Sequence, residues 1–274
     1  MRILSWDAFI GSEPDGLKPG LDPEAASRPL AAAIGVFDGL HLGHRKLIGE
    51  VLAREGMVKG VFTFRENPKK SLRPSTFHGD LFTLEQRLET LSELGVELSV
   101  LIDFSGDFSK LAGRKFLSLL RDRGGLRFLA VGADFRCGYR LDTGSDEIRS
   151  QCAELGVEAR ILPSLAWAGK AVSSSRIRRA VLEGRLDEAR VMLGRDFEVD
   201  LRGARFGTAG GILAIEPGTE QLAPPSGRYE AELGEGDRSS RVEARWSGGA
   251  WSIEGASPGE RPKALRLLRL VSRE

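Results

Sequence analysis

The sequence predicts an α/β domain built on a doubly wound, Rossmann-like parallel sheet, followed by a small antiparallel β-barrel domain. One observation carries the first prediction. Short apolar runs alternate with amphipathic helical segments through the first two-thirds of the chain, which calls for a parallel sheet covered on both faces. Right-handed crossovers between such strands make the sheet doubly wound. Another carries the second. From about residue 198 the helical spacing stops, and short β-like runs separated by Gly- and Ser-rich turns take over, as in small barrels and sandwiches.

The elements follow in order. Residues 31–37 (AAAIGVF) form an apolar run that ends at the turn signal Asp38–Gly39. Residues 44–55 carry Leu47, Val51 and Leu52 at helical spacing. Residues 58–64 (VKGVFTF) read as a strand, and residues 84–94 as a helix with Leu88, Leu91 and Leu94 on one stripe. Strands are predicted at 96–104, 126–132 and 157–162, with helices through 116–120 and 147–155 between them. Two short helices follow, 176–183 stopped by Gly184 and 187–193 capped by Gly194. The later β-like runs are 211–215, 228–233, 241–246, 251–254 and 265–271, with turns at 234–237 and 247–249 and a Pro-bearing loop at 221–227. Residues 11–29 read as a loop, and no internal repeat is evident.

Composition excludes several classes. The 274 residues carry a net charge of +1, with 29% charged. That is no bulk field for nucleic acid or an anionic membrane. Two cysteines make no disulfide framework and suit a reducing compartment. No Cys/His cluster has zinc spacing, and no run approaches the length of a membrane span. The opening MRILSWDAFIGSEPD lacks the long apolar core of a signal peptide. A cytoplasmic protein is expected.

The strongest chemical signal is GVFDGLHLGH at residues 35–44. A strand runs into a glycine-bearing turn and then a helix, which places backbone N–H groups and a helix N-terminus at the carboxyl end of a strand. Both favour phosphate. His41 and His44 are three residues apart and can face the same way at the helix start. Their imidazoles can donate hydrogen bonds to phosphate oxygens and stabilise charge that builds on a departing pyrophosphate. Two of only three histidines in the chain lie in this turn. A second, weaker signal is VSSSRIR at residues 172–178. Its serines suit a helix cap, and the helix start with Arg178 suits a triphosphate clamp.

These two motifs, in this order, resemble the nucleotidyltransferase superfamily that shares HxGH and a later Ser/Thr-rich motif. The finer resemblance is to the bacterial bifunctional riboflavin kinase/FAD synthetase family. GADFRCG at residues 132–138 is similar to the family's G-x-D-F-R-F-G, VSSSRIR to its I-S-S-T-x-I-R, and Gly184, Ala189 and Leu193–Gly194–Arg195 to the motif that follows. The resemblance covers about residues 1–196. It implies an FMN adenylyltransferase-like domain at 1–196 and a β domain at 197–274 resembling a reduced riboflavin kinase barrel. It further implies that Gly35, Phe37, Asp38 and Gly39 shape an ATP pocket, with Ser174, Ser175 and Arg178 holding phosphates from the other side. His41, His44 and Arg178 would act in catalysis. Phe64, Asn67, Pro68, Asp134, Phe135 and Arg136 would lie toward the flavin. The implied reaction is ATP plus FMN giving FAD and pyrophosphate, with Mg²⁺ held through the phosphates and no metal ligand expected from protein side chains. ATP and FMN are the implied partners.

The chain departs from the family's pattern at several positions. Val36 stands where an Asn is usual, FRENP at residues 64–68 where F-x-P-H-P is usual, and Cys137 where an aromatic is usual. No Pro-Thr-x-Asn follows residue 196, so the implied enzyme lacks riboflavin kinase activity. Two alternatives stay open: a nucleotidyltransferase for another phosphorylated acceptor, and a non-catalytic nucleotide- or flavin-binding protein. Trp246 and Trp251 suit hairpin core packing or, less readily, a ligand pocket.

Overall fold

The computed structural model describes residues 1–11, 27–104, 108–235, 238–254 and 262–273. Most of the loop expected at 11–29, and the tip of the turn expected at 234–237, lie outside the described residues. Two compact units make up the chain. The first is Met1–Phe37, Gly43–Pro74 and Leu88–Ala166, and the second is Asp38–Leu42, Ser75–Arg87 and Trp167–Glu274.

The first unit holds a six-stranded, wholly parallel sheet. Its strands are β1 (Arg2–Ser5), β2 (Leu30–Ile34), β3 (Val58–Phe64), β4 (Leu98–Ile102), β5 (Leu126–Gly132) and β6 (Glu158–Leu162), in the order β1-β4-β3-β2-β5-β6. The helices are α1 (Trp6–Ile10), α2 (Leu42–Leu52), α3 (Pro68–Leu72), α4 (Leu84–Glu93), α5 (Gly113–Gly124) and α6 (Ser145–Glu154), of which Leu42 and Leu84–Arg87 fall in the second unit. Strands β2, β4 and the inner part of β3 are buried almost throughout, as expected of strands covered on both faces. On one face Leu30, Ala32, Ile34, Phe62 and Val100 share a core with Trp6 and Phe9 of α1, Phe116 and Leu120 of α5, and Ile148 of α6. On the other face Ala31, Ala33, Val61 and Phe128 are equally buried, and the Arg54 guanidinium lies 3.7 Å from the centre of the Phe128 ring. The winding reverses at β2. The chain lays β3 and β4 on one side of it, then returns to place β5 on the other. The carboxyl ends of β2 and β5 therefore flank the topological switch point, where open α/β sheets take ligands.

Five of the six strands and the principal helices fall where the sequence places them, with ends shifted by a few residues. Strand β1 and helix α1 were not read from the sequence. Leu4, Trp6 and Phe9 are buried there, but ten residues are too few for a period to emerge.

The second unit contains α7 (Ser174–Leu182), α8 (Leu186–Leu193) and a seven-stranded antiparallel sheet. Its strands are β9 (Phe197–Asp200), β10 (Arg205–Ala209), β11 (Ile212–Glu216), β12 (Gly227–Glu235), β13 (Arg238–Ser247), β14 (Ala250–Glu254) and β15 (Ala264–Arg273), ordered β10-β11-β14-β13-β12-β15-β9. A two-residue ribbon, β7 (Ala166–Trp167) with β8 (Lys170–Ala171), precedes α7. The sheet curls as a half-barrel, with register shifts where β12 meets β15, and such bulges increase twist. Alternate residues line its inner face: Phe197, Val199, Leu213, Ile215, Tyr229, Ala231, Leu265 and Leu267 are all buried. Trp251 is 1% exposed. Its ring centre lies 5.5 Å from Tyr229 and 5.0 Å from Trp246, and the Tyr229 hydroxyl donates to Pro225 O. The sequence missed β9 and β10, which are short and carry Arg, Glu and Asp among their apolar residues.

The aromatic cluster fixes the core of the half-barrel. Trp251→Ala should therefore cost about 3–5 kcal/mol of stability, measured by denaturant unfolding followed by circular dichroism.

Candidate functional site

The sequence motif after β2 is built as a strained turn. Phe37 has φ +53°, Gly39 φ +75° and Leu40 φ +39°, the left-handed region that side chains with a Cβ avoid. In the first unit, the Phe37 ring lies over Gly35, where a Cβ would be 3.1 Å from Cζ. The same ring meets the His44 imidazole edge-on at 5.2 Å. The Thr63 hydroxyl donates to Val36 O at 3.0 Å. At residue 36 the backbone carbonyl is thus anchored to β3, whichever side chain stands there.

Also in the first unit, Asn67 is buried, and its side chain accepts from Lys69 N at 3.1 Å to cap α3. Pro68 occupies the first turn of that helix, where its missing N–H costs nothing. Phe64 packs edge-on against Phe104 and Phe108. At the end of β5, Asp134 is exposed, Phe135 packs on the core, and Arg136 donates twice to Leu141 O at 3.0 and 3.1 Å. Gly35, Phe37 and the segment Asp134–Phe135–Arg136 thus lie just past β2 and β5, the two strands of the switch point.

In the second unit, Asp38 is the centre of a buried polar knot. Its Oδ2 accepts from Arg178 at 2.6 Å, and its Oδ1 accepts from the Leu81 and Phe82 amides at 2.8 and 3.2 Å. Its backbone carbonyl accepts the Ser174 hydroxyl at 2.9 Å. Arg178 also donates from Nε to Gly79 O at 2.9 Å and is 7% exposed. Its guanidinium lies 5.8 Å from the Phe77 ring centre. Arg195, the end of the motif that follows, donates to Gly39 O at 2.6 Å and covers the Phe82 ring. His41 is 6% exposed.

Ser173 caps α7 by accepting from Arg176 N at 3.3 Å. The helix begins two residues earlier than the sequence reading placed it. Ser174 and Ser175 therefore sit in its first turn, among the backbone N–H groups that have no intrahelical partner. Of the serines that suit a cap, Ser173 takes that role, and the Ser174 hydroxyl instead donates to Asp38 O.

Charge in this knot is finely balanced. Burial and the neighbouring Asp80 carboxylate push Asp38 from 3.8 up to about 6, against the pull of Arg178 and the two amides. Burial lowers the pKa of Arg87 from its ordinary value, while Asp38 and Asp80 oppose that shift. A carboxylate so perturbed beside a turn that suits phosphate marks a candidate site on physical grounds. The role of Asp38 as a carboxylate partner of Arg178 is the feature sequence reasoning missed. The two residues are 140 positions apart, and nothing in their local patterns links them.

Elsewhere in the second unit, a cavity of about 240 Å³ opens beside Trp246 and Trp251, lined also by Val199, Gln221, Leu222 and Pro224. Trp251 serves the core, and the half-exposed Trp246 forms part of the cavity wall. Among the described residues no group of three His, Cys, Asp or Glu side chains is placed to hold a metal, and no helix is long and apolar enough to cross a membrane.

Comparison with known proteins adds three findings. The family model described as FAD synthetase matches residues 24–176. The bifunctional riboflavin kinase/FMN adenylyltransferase of Escherichia coli is 30% identical over 225 residues, covering 78% of this chain and 72% of that protein. A FAD synthetase of Listeria monocytogenes is 24% identical over 217 residues, covering 78% and 85%. Against the bifunctional relative from Buchnera aphidicola, the chain spans only 57% of that protein's length. A crystal structure titled as a macrolide-efflux protein from Streptococcus pneumoniae superposes with a TM-score of 0.82 over 100% of this chain and 92% of that one, at 19% identity. That likeness is one of fold alone.

Two outcomes follow from the geometry. A Cβ on Gly39 would lie 3.0 Å from Leu81 Cδ1, at a positive φ. Gly39→Ala should cost about 1–3 kcal/mol in thermal or denaturant unfolding. The folded-state pKa of Asp38 lies above its unfolded value of 3.8. Its ionisation therefore subtracts stability as pH rises from 3.8 to about 6, and subtracts no more above that. Asp38→Asn should remove this slope, seen by comparing unfolding midpoints at about pH 4.5 and about pH 7.

Proposed function

The chain belongs to the FAD synthetase family, and on that premise we propose that it is an FMN adenylyltransferase, which moves AMP from ATP to FMN to give FAD and pyrophosphate. The observation that carries this reading is the strained GVFDGLHLGH turn that follows β2 in the chain, whose Asp38 is buried in a pair with Arg178. A phosphate oxygen of FMN attacks the α-phosphorus of ATP. The bond from that phosphorus to the bridging oxygen breaks, and pyrophosphate leaves with the electron pair. No protein nucleophile is needed, so the residues position reactants and meet developing charge.

Gly35, Phe37, Asp38 and Gly39 are assigned to shaping the ATP pocket. His41 and His44 are assigned to the phosphates, where imidazole donors stabilise charge on the leaving pyrophosphate. Ser174, Ser175 and Arg178 are assigned to the same phosphates, at the N-terminal end of α7, whose dipole favours anions. The geometry supports a double role for Arg178, since its Nε and one terminal nitrogen already order Gly79 and Asp38. Phe64, Asn67, Pro68, Asp134, Phe135 and Arg136 are assigned to the flavin side. Mg²⁺ enters on the nucleotide, held by phosphate oxygens and water as is usual for this ion, and supplies charge neutralisation.

Residues 1–196 are proposed as the adenylyl-transferring domain and 197–274 as a β domain resembling a reduced riboflavin kinase barrel, without kinase activity. The absence of a Pro-Thr-x-Asn stretch after residue 196 supports this, as does the similarity to a Listeria protein named FAD synthetase alone. A cytoplasmic location suits the substrates.

Purified protein with ATP, Mg²⁺ and FMN should release pyrophosphate and form FAD, while riboflavin in place of FMN should give no FMN. Pyrophosphate release with a different phosphorylated acceptor but not with FMN would overturn the choice of acceptor, and tight ATP binding without turnover would overturn the enzyme reading. His44→Ala should lower kcat by roughly 10²–10³-fold with FMN binding nearly unchanged, measured by steady-state kinetics and calorimetry. An equal loss of both would mark His44 as structural.

A further inference from the structure

The curled sheet carries no Pro-Thr-x-Asn stretch and does not end in isolation within the second unit. The peptide Asp80–Leu81–Phe82 is held on both of its edges. On one edge the Leu81 and Phe82 amides grip the Asp38 carboxylate at 2.8 and 3.2 Å. On the other, Leu81 O accepts from Gln221 Nε2 at 2.9 Å, and Asp80 O accepts from Leu222 N at 2.8 Å. Gln221 lies in the loop between β11 and β12. It is itself fixed, because its Oε1 accepts from Asp200 N at 2.8 Å and its Nε2 also reaches Glu198 O at 2.8 Å. Asp200 closes the circuit by accepting the Thr83 hydroxyl at 2.6 Å and pairing with Arg202 at 2.7 Å. Thr83 and Gln86 then cap α4 reciprocally: Thr83 Oγ1 accepts from Gln86 N, and Gln86 Oε1 accepts from Thr83 N.

One peptide thus separates a side chain of the β sheet's loop from the carboxylate that orders Arg178. Leu81 and Leu222 are each 1% exposed, and the amide bonds from Leu81 and Phe82 to Asp38 are buried, where a lost partner is costly. Gly79, which accepts from Arg178, has no room for a Cβ, which would lie 2.8 Å from Leu222 N. Loop 219–222 therefore also sets the position of the carbonyl that receives the arginine.

We propose that Gln221 is a positioning residue for the Asp38–Arg178 pair, and that the β domain is kept as a brace for the phosphate end of the site in place of a second active site. Gln221 acts through the Leu81 peptide. It touches no reacting atom. The kinetic part of this proposal rests on the adenylyl-transfer reading, and the structural part does not.

Two variants of the full chain test it. Gln221→Met keeps the length of the side chain and removes both polar ends. Gln221→Glu keeps the acceptor for Asp200 N and removes the donor to Leu81 O. Backbone amide exchange at Leu81 and Phe82 should quicken by roughly tenfold in both, with the amides of β12 and β15 as protected as in the wild type. With ATP and FMN as substrates, kcat/KM for ATP should fall by roughly tenfold, while KM for FMN stays unchanged. A merely structural residue would lower the melting temperature and the protection of β12–β15 without that split between substrates. Should Gln221→Met fail to fold, Gln221→Glu decides alone. Should the wild type make no FAD, the adenylyl-transfer reading fails, and exchange at Leu81 and Phe82 still decides the brace. Wild-type exchange at those two amides, or faster exchange with unaltered ATP kinetics in an active enzyme, overturns the proposal.

Discussion

The Asp38 carboxylate, buried at 3% exposure and shared by one guanidinium and two amides, is the constraint around which the second unit is organised. A carboxylate taken out of water loses more than a single ion pair returns, so the pair by itself adds little net stability. Its value lies in exclusivity. Removing one partner leaves the other charged and buried, at a cost of about 3–5 kcal/mol, so alternative packings of these segments are strongly disfavoured. The turn at residues 38–42, the segment 75–87 and helix α7 meet in one way because only one arrangement pairs all these groups.

The strain in the turn has the same origin. Phe37, Gly39 and Leu40 all adopt positive φ, a conformation of order 1–3 kcal/mol per non-glycine residue. Such a turn persists where its surroundings over-determine it. Asp38 O and Gly39 O are held by the Ser174 hydroxyl and the Arg195 guanidinium, and the Phe37 ring is held against His44. A backbone held in this way is pre-organised, so a ligand that contacts it does not have to order it.

The polar circuit through Asp200, Thr83, Gln86 and Gln221 joins the loop of the antiparallel sheet to the peptide whose amides bind the Asp38 carboxylate. Burial works against the charge on Asp200, but Arg202 and the Thr83 hydroxyl hold its carboxyl below the usual value. Each member satisfies the next, and a network complete in this way is rigid. A partly satisfied one would be worse than an apolar core.

Much of the fold was legible because it rests on periodicity. The run VKGVFTF coincides with β3, LRFLAVG with β5, and Gly194 caps α8 as its position after a helical stripe implied. The turn GVFDGLHLGH declared itself by its glycines and histidines. The first ten residues, the strands β9 and β10 and the cap at Ser173 were less legible. Short elements have no room for a period, and a run of three serines does not say which one meets the helix. Asn67 lies in the stretch that the family resemblance sets toward the flavin, and its role as the cap of α3 carries no sequence signal of its own. What only tertiary structure decided is which polar groups pair. Asp38 with Arg178, and Leu81 with Gln221, are each separated by 140 residues. A buried carboxylate takes whatever donors the packing brings to it, and local sequence carries no record of that choice. The sequence by itself determined the class of sheet and where its strained glycine turn falls. Tertiary packing decided which charges are buried together and through which peptide the β sheet's loop reaches them.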